Sequence, residues 1–501
     1  PQAMSPQVHL GIDVGAESGR VMAGLWDGRR MELAEEARFP NRSVELDGVL
    51  RWDPAGLWSG VRDGLARAGR THGGRAVSVG ADTWGLDYVL RSRSGELLGL
   101  PRCYRDPSHL VAFDEVLQRI PREEIFARTG IQFMPINTLY QWVAHHARSP
   151  EAFAAADRFL MMPDWLHHLL CGSDGVEFTN ATTTQFHDPV GHSWCTDLLG
   201  RLGLPTHGLP GIVAPGSRLG RLLPRVAEAT GLAGVEVVAP GTHDTASAVV
   251  GIPTGATGRP GWAYISSGTW SLVGFESPVP HLGPEALALN VTNEGGVEGT
   301  WRVLKNVMGL WLLQRCRCDL AAGGTPTDYA TLAARAAAAP PLRSLVDPDH
   351  PSFLNPPDMP AAIAAFCRRT GQPVPGDEAS LARCVLDSLA LKYARVLRGL
   401  ESLAGHRFEV VHLVGGGSRN GLLNQSTADA LGCPVVAGPA EATALGNVLW
   451  QARGCGELGS LAEVRQAAIA SVSVTRFEPS TDRSAWLEAA GRMQALMEVQ
   501  A

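Results

Sequence analysis

The chain has 501 residues, 45% of them apolar and 19% charged, with a net charge of −7. That length calls for at least two domains, each with its own core, and no apolar run approaches the roughly 18 residues of a membrane span. The acidic balance argues against nucleic acid, which selects a basic face, but leaves room for a nucleotide whose phosphates are offset by Mg²⁺ and a few local donors.

The N-terminal stretch Pro1–Pro6 lacks the basic and apolar regions of a signal peptide, so a cytoplasmic location is expected. Strands are expected at Leu10–Val14 and Arg20–Trp26, on either side of a Gly15–Gly19 turn. A small turn of this kind lets backbone N–H groups approach an anion closely. Asp13, at the strand end, can hold Mg²⁺ through water while Ser18, Gly19 and Arg20 approach phosphate oxygens. An ordinary hairpin with a turn-stabilising Asp is the plain alternative. The spacing predicts a helix over Leu57–Ala68 and strands at Ala76–Ala81 and Asp87–Arg91. The segment Asp82–Asp87 offers two carboxylates, an indole face and a glycine to a polyhydroxylated ligand, or is simply a strand end with a core Trp. A more helical region follows from Asp114 to about Leu170.

Val235–Ala239 reads as a strand that delivers Pro240–Ser247 into a helix beginning near Thr245. At that junction Asp244 can point out of the sheet as a catalytic carboxylate, or cap the helix. The turn formers of Ile252–Gly261 mark the expected domain boundary, giving an N-terminal domain 1–251 and a C-terminal domain 252–501. The second half opens on its own hairpin, Trp262–Phe275, with Ser-Ser-Gly-Thr at the bend. One such hairpin in each half suggests a duplicated domain with a nucleotide in the cleft between the copies. Asn293–Gly296 and Arg302–Arg315 read as a loop and then a helix, on which Asn306 and Gln314, about two turns apart, share a face. Ala-rich Leu332–Ala339 looks helical. Glu409–Val414 reads as a buried strand, followed by Gly415–Gly417 and a helix from Leu422. That arrangement gives a nucleotide access to backbone, or makes a tight turn. Gly454–Gly459 matches G-x-G-x-x-G but follows a helical pattern instead of a strand, so the dinucleotide reading fails its context. The nine cysteines show no repeated C-x-x-C spacing, which leaves free thiols as the expectation, with Cys367 and Cys384 as possible neighbours.

Six ordered segments, Gly80–Asp87, Arg128–Gln141, Glu177–Gln185, His243–Ala248, Ser266–Ser271 and Val303–Gln314, together resemble the FGGY carbohydrate kinases. The resemblance runs from about Leu10 to beyond Leu449. It implies an α/β fold of two actin-like (ribonuclease H-like) domains with the active site in the cleft between them. The first domain would carry the sugar side and the phosphate hairpin, the second the nucleotide. The implied reaction moves the γ-phosphoryl of ATP, with Mg²⁺, to the 1-hydroxyl of L-rhamnulose, giving L-rhamnulose 1-phosphate and ADP. L-fuculose and L-xylulose are the alternative ketoses. An actin-like or chaperone-like ATPase is the reading from another class, against which Asp82–Asp87 and Asp244 both weigh. By the resemblance, Asp244 is the proton acceptor, while Gly85, His243, Thr245 and Asn306 contact the sugar. Ala16, Glu17, Ser18, Gly19, Arg20, Thr269, Gln314 and Gly416 match positions that hold ATP. Two departures stand out. Glu17 occupies a place where a small residue is common, and Pro107-Ser108-His109 replaces a Ser-Arg-Thr-like stretch on the sugar side.

Overall fold

The computed structural model describes residues 6–324 and 327–498, so the start of the N-terminal stretch lies outside the described residues. The chain forms two compact units, each assembled from segments far apart in sequence. The first takes residues up to Thr257, Glu276–Val303 and Ala442–Val472; the second takes Gly258–Phe275, Leu304–Glu441 and the chain from Ser473.

The sheet of the first unit grows from the strand Gln7–Val14, buried along nearly its whole length. It turns back antiparallel into Ser18–Trp26 and again into Met31–Pro40. On its other side it pairs in parallel with Ala76–Thr83, which pairs in parallel with Glu236–Val238. Val8, Leu10, Ile12 and Val14 bury one face of this strand, and His9, Gly11 and Asp13, which alternate with them, are buried on the other. Met31–Pro40 is edged with exposed charged residues, which discourages further strand pairing. The helix Pro54–His72 begins where Asp53 accepts from Gly56 N at 2.9 Å. It buries Leu57, Val61, Leu65 and Ala68 at helical spacing. The helix Ala442–Gly454 crosses Asp244–Val250 at Gly446, where a Cβ would lie 1.8 Å from Ser247 O. Only glycine permits that approach.

The sheet of the second unit repeats the plan. Trp262–Ser267 pairs antiparallel with Trp270–Ser277 and parallel with Val410–Val414, which pairs in parallel with Val435–Ala437. Trp301–Met308 extends the sheet beyond Trp270–Ser277. The five core strands of each sheet share one order, third, second, first, fourth, fifth, as a duplicated ribonuclease H-like fold requires; Arg218–Arg221 adds an edge to the first sheet, and Thr292–Gly295 and Thr475–Phe477 add the two edges of the second. The segment Leu332–Ala339 is helical, within Tyr329–Ala338.

One expectation is corrected. Arg302–Arg315 is not a loop and a helix: Trp301–Met308 is a strand, and the helix is Trp311–Ala322. Asn306 and Gln314 therefore share no helix face. Among the described residues all nine cysteines are free, with the thiols of Cys367 and Cys384 in hydrogen-bond contact. No helix among those residues is long and apolar enough to cross a membrane.

Candidate active site

In the first unit the expected residues collect at the carboxyl ends of parallel strands. Register places Asp13 opposite Arg20 on one neighbour and Asp82 on the other. The Arg20 guanidinium donates to Asp13 Oδ2 at 2.5 Å, fixing the carboxylate beside the turn. The turn itself is closed by Gly15 N donating to Ser18 O at 2.9 Å, and braced by Asn41 Nδ2 on Gly15 O at 2.9 Å. Ala16 and Ser18 are half-buried, whereas Glu17 is exposed and its charge is solvated. Gly19 has a packing reason of its own, because a Cβ there would sit 2.2 Å from the Phe39 ring.

Asp244 opens the helix Asp244–Val250, with Oδ1 accepting from Thr245 N at 2.6 Å and Thr245 Oγ1 at 3.2 Å. About a third of its side-chain surface is open. The protein around it still raises its pKa, chiefly by burial, against the pull of His243 and with help from Asp13. Asp82 is fully buried and its pKa stands well above the ordinary carboxylate range, from burial first and then the charge of Asp13. Asp82 Oδ1 has no hydrogen-bond partner among the described residues, while Oδ2 accepts from Asn447 Nδ2 at 2.5 Å. Asp13, Asp82 and Asp244 repel one another when ionised, and Arg20 offsets part of that charge through its pair with Asp13. Among the described residues no cluster of three metal-ligating side chains is present.

His243 is bracketed on Nδ1 by Glu294 Oε2 at 3.0 Å and Arg302 Nη2 at 3.2 Å. Its Nε2 lies 3.5 Å from Asp244 Oδ1. His243 and then Arg302 hold the Glu294 pKa below the usual carboxylate range despite its burial. The backbone beneath is tied down by Glu177, whose Oε2 accepts from Thr242 N at 3.0 Å and Thr242 Oγ1 at 2.6 Å. Gly85 lies against this ring, since a Cβ on it would come 3.2 Å from His243 Nε2. Glu294, Arg302, Glu177 and Asn447 were not singled out from sequence. The available signal was charge inside buried segments, an Arg amid the apolar strand Trp301–Met308 above all.

Asp87 is corrected to a structural role. Its Oδ2 accepts from Trp52 Nε1 at 2.5 Å, Trp84 Nε1 at 3.0 Å and Tyr104 N at 3.2 Å. Its Oδ1 accepts from Gln141 Nε2 at 2.8 Å. Burial pushes its pKa up to about 6 in spite of these donors. The carboxyl is consumed in orienting two indoles and is not presented to a ligand. The nearby departure Pro107-Ser108-His109 begins the helix Ser108–Arg119, with Ser108 N on Asp106 Oδ1 at 3.0 Å and His109 buried.

The second unit brings Thr269 and Gln314 to one corner. Thr269 O accepts from Gly309 N at 3.1 Å and Trp311 N at 3.2 Å, at the start of the helix carrying Gln314. Gln314 Oε1 is buried without a partner. Asn306 stands half-buried on its strand. The glycine run Gly415–Gly417 divides into two functions. A Cβ on Gly415 or Gly417 would strike Ser267, at 2.8 Å and 2.1 Å. One on Gly416 would meet nothing within 4 Å. Gly416 alone faces open space, as a point of ligand approach must.

The family models of the FGGY carbohydrate kinases match this geometry in order, the N-terminal domain over residues 8–251 and the C-terminal domain over 263–455. A rhamnulokinase of Bacteroides thetaiotaomicron is 43% identical over 481 residues, 96% of this chain and 97% of its own. One of Klebsiella pneumoniae is 43% identical over 96% of both chains. Among solved structures, xylulose kinase of Rhodospirillum rubrum superposes with a TM-score of 0.78 at 21% identity, covering 98% of each chain. Plasmodium falciparum glycerol kinase with ADP does so with 0.77 at 15% identity, over 99% of this chain and 98% of its own. These two likenesses establish the fold.

Proposed function

The chain belongs to the FGGY family of carbohydrate kinases, and on that premise we propose that it transfers the γ-phosphoryl of ATP to the 1-hydroxyl of L-rhamnulose, giving L-rhamnulose 1-phosphate and ADP. The observation that carries the substrate is the 43% identity to rhamnulokinases along 96% of the chain. Family membership sets aside the actin-like and chaperone-like ATPase reading.

Phosphoryl transfer asks the protein for positioning and charge stabilisation more than covalent help. Asp244 orients the sugar hydroxyl and accepts its proton. Its raised pKa makes it a stronger base than an ordinary carboxylate. His243, held by Glu294 and Arg302, keeps a fixed ring beside that base, and Thr245 anchors Oδ1. The absence of a side chain at Gly85 lets this backbone pack against His243 and Thr183. Gly85, His243, Thr245 and Asn306 are assigned to the ketose. Ala16–Arg20, Thr269, Gln314 and Gly416 are assigned to ATP, with Glu17 contributing backbone only. Mg²⁺ bound with ATP would offset the phosphate charge, with Asp13 reaching it through water. Residues 1–251 carry the phosphate hairpin and most of the sugar side and residues 252–501 most of the nucleotide side, with Asn306 assigned to the sugar from the second half and Glu276–Val303 and Ala442–Val472 packed into the first compact unit. The reaction is assigned to the cytoplasm.

A coupled ADP-release assay across ketoses and polyols tests the reading. L-rhamnulose should give the highest kcat/KM. A preference for L-fuculose, L-xylulose or glycerol overturns the substrate but leaves the kinase. Equal ADP release without any sugar overturns the kinase itself.

A further inference from the structure

One of the six ordered segments, Glu177–Gln185, supplies no residue assigned to the ketose or to ATP, yet it bonds to three backbone stretches of the ketose side. Four of its nine residues are threonine, all of them buried. Threonine hydroxyls in a helical turn tend to bond back to a carbonyl three or four residues earlier. Here the short helix Phe178–Ala181 runs into the 3₁₀ turn Thr182–Thr184. Thr182 Oγ1 donates to Thr179 O at 3.0 Å, Thr183 Oγ1 to Asn180 O at 2.8 Å and Thr184 Oγ1 to Ala181 O at 2.7 Å. Thr179 Oγ1 donates to Glu177 Oε2 at 2.6 Å. Each hydroxyl has one hydrogen and spends it inside the segment, so the four oxygens are left as acceptors.

Three of those oxygens take backbone N–H groups from elsewhere in the first unit. Thr179 Oγ1 accepts from His243 N at 3.1 Å, Thr182 Oγ1 from Gly295 N at 2.8 Å and Thr183 Oγ1 from Leu86 N at 3.3 Å. Gly295 follows Glu294, whose Oε2 lies 3.0 Å from His243 Nδ1, and its carbonyl accepts from Arg302 Nε at 2.9 Å. Leu86 follows Gly85, at the bend between the strands Ala76–Thr83 and Tyr88–Arg91. It sits in left-handed backbone at φ +79°, which a leucine keeps only where its surroundings impose it. Thr183 holds its N–H, and Thr138 Oγ1 donates to its carbonyl at 2.6 Å. Thr184 differs: its oxygen accepts from Phe186 N at 3.3 Å, next to its own turn. We propose that Thr179, Thr182 and Thr183 are positioning residues of the ketose site, fixing the backbone at His243, Gly295 and Leu86 and so holding the imidazole against Gly85. The proposal rests on the assignment of Gly85 and His243 to the ketose.

Valine keeps the shape of threonine and removes the acceptor, which leaves a buried N–H unmet. The test is steady-state ADP release by the full-length protein, with the ketose that the parent phosphorylates best. Thr183→Val should raise the KM for that ketose roughly tenfold and leave the KM for ATP unchanged. Thr182→Val, made independently, should do the same through Gly295. Thr183→Ser keeps the oxygen and should stay within about threefold of the parent. Thr184→Val loses a buried hydroxyl from the same turn, so it should lower the melting temperature without moving either KM. An unchanged ketose KM in either folded variant, at 182 or 183, overturns the proposal. So does an equal rise in the KM for ATP, an equal rise in Thr184→Val, or a serine variant no better than the valine one. A parent that phosphorylates no ketose overturns the kinase reading and this proposal together, whereas an active parent with any of those results overturns the proposal alone.

Discussion

At the scale of single residues, Asp244 and Gly416 carry the sharpest consequences. Asn at 244 keeps an oxygen for Thr245 N but cannot take a proton from the sugar. Asp244→Asn is therefore expected to lower kcat by about 10²–10⁴-fold, with sugar and ATP affinity and melting temperature retained. Steady-state kinetics and calorimetry on one preparation check this. A kcat within a few-fold of the parent would make Asp244 a helix-start residue only. Gly416→Val should fold normally, because a Cβ there meets nothing, and should raise the KM for ATP while leaving that for the ketose. An unchanged KM for ATP removes the loop from the nucleotide site. Both residues were legible in sequence, since each ends a strand and precedes a helix. The resemblance singled out Gly416, but the reason for Gly415 and Gly417 was not legible, since it comes from Ser267, some 150 residues earlier in the chain.

At the scale of elements, the helix Met162–Cys171 reaches the sheet through a buried imidazole. His167 Nε2 accepts from Ala81 N at 2.9 Å, so the ring must be neutral there. Burial lowers its pKa from 6.5 to about 3. The unfolded chain therefore takes the proton first as pH falls. The associated stability is complete above about pH 6.5 and is lost progressively down towards pH 3. Between pH 6.5 and 5 the loss from this group is about 2 kcal/mol. Gln can accept from Ala81 N without titrating, so His167→Gln should flatten the fall in stability between pH 8 and 5 in urea unfolding by about that amount. Equal slopes in both proteins would show that the ring does not carry the effect. Helix and strand were not equally readable. The run Trp301–Met308 has apolar spacing compatible with either state, and a buried strand of eight residues is indistinguishable from a helix segment by periodicity alone.

At the scale of the whole molecule, the first unit depends on segments joined across the chain. Arg465, fully buried, forms two bonds to Glu276 at 2.7 and 2.8 Å and donates to Val249 O at 3.2 Å. One guanidinium thus ties together all three segments of that unit. Removing one partner of such a pair strands a buried charge, so Glu276→Gln should cost about 3–5 kcal/mol. Chemical denaturation of parent and variant measures it, and a loss below about 1 kcal/mol would show that the pair is solvated.

Sequence alone determined the reaction class through the ordered segments that resemble the FGGY kinases, each a run of neighbouring positions, and the proposed site residues follow from those segments. The strand pairings of both hairpins and the helix start at Asp244 followed from local apolar runs and turn formers. Tertiary structure decided what supports those residues. Asn447 reaches Asp82 from 365 positions away, Glu294 and Arg302 converge on His243, and Asp87 is spent on two indoles. Burial turned these polar groups into obligatory partners, and burial is a property of the assembled sheets and helices that no local pattern encodes.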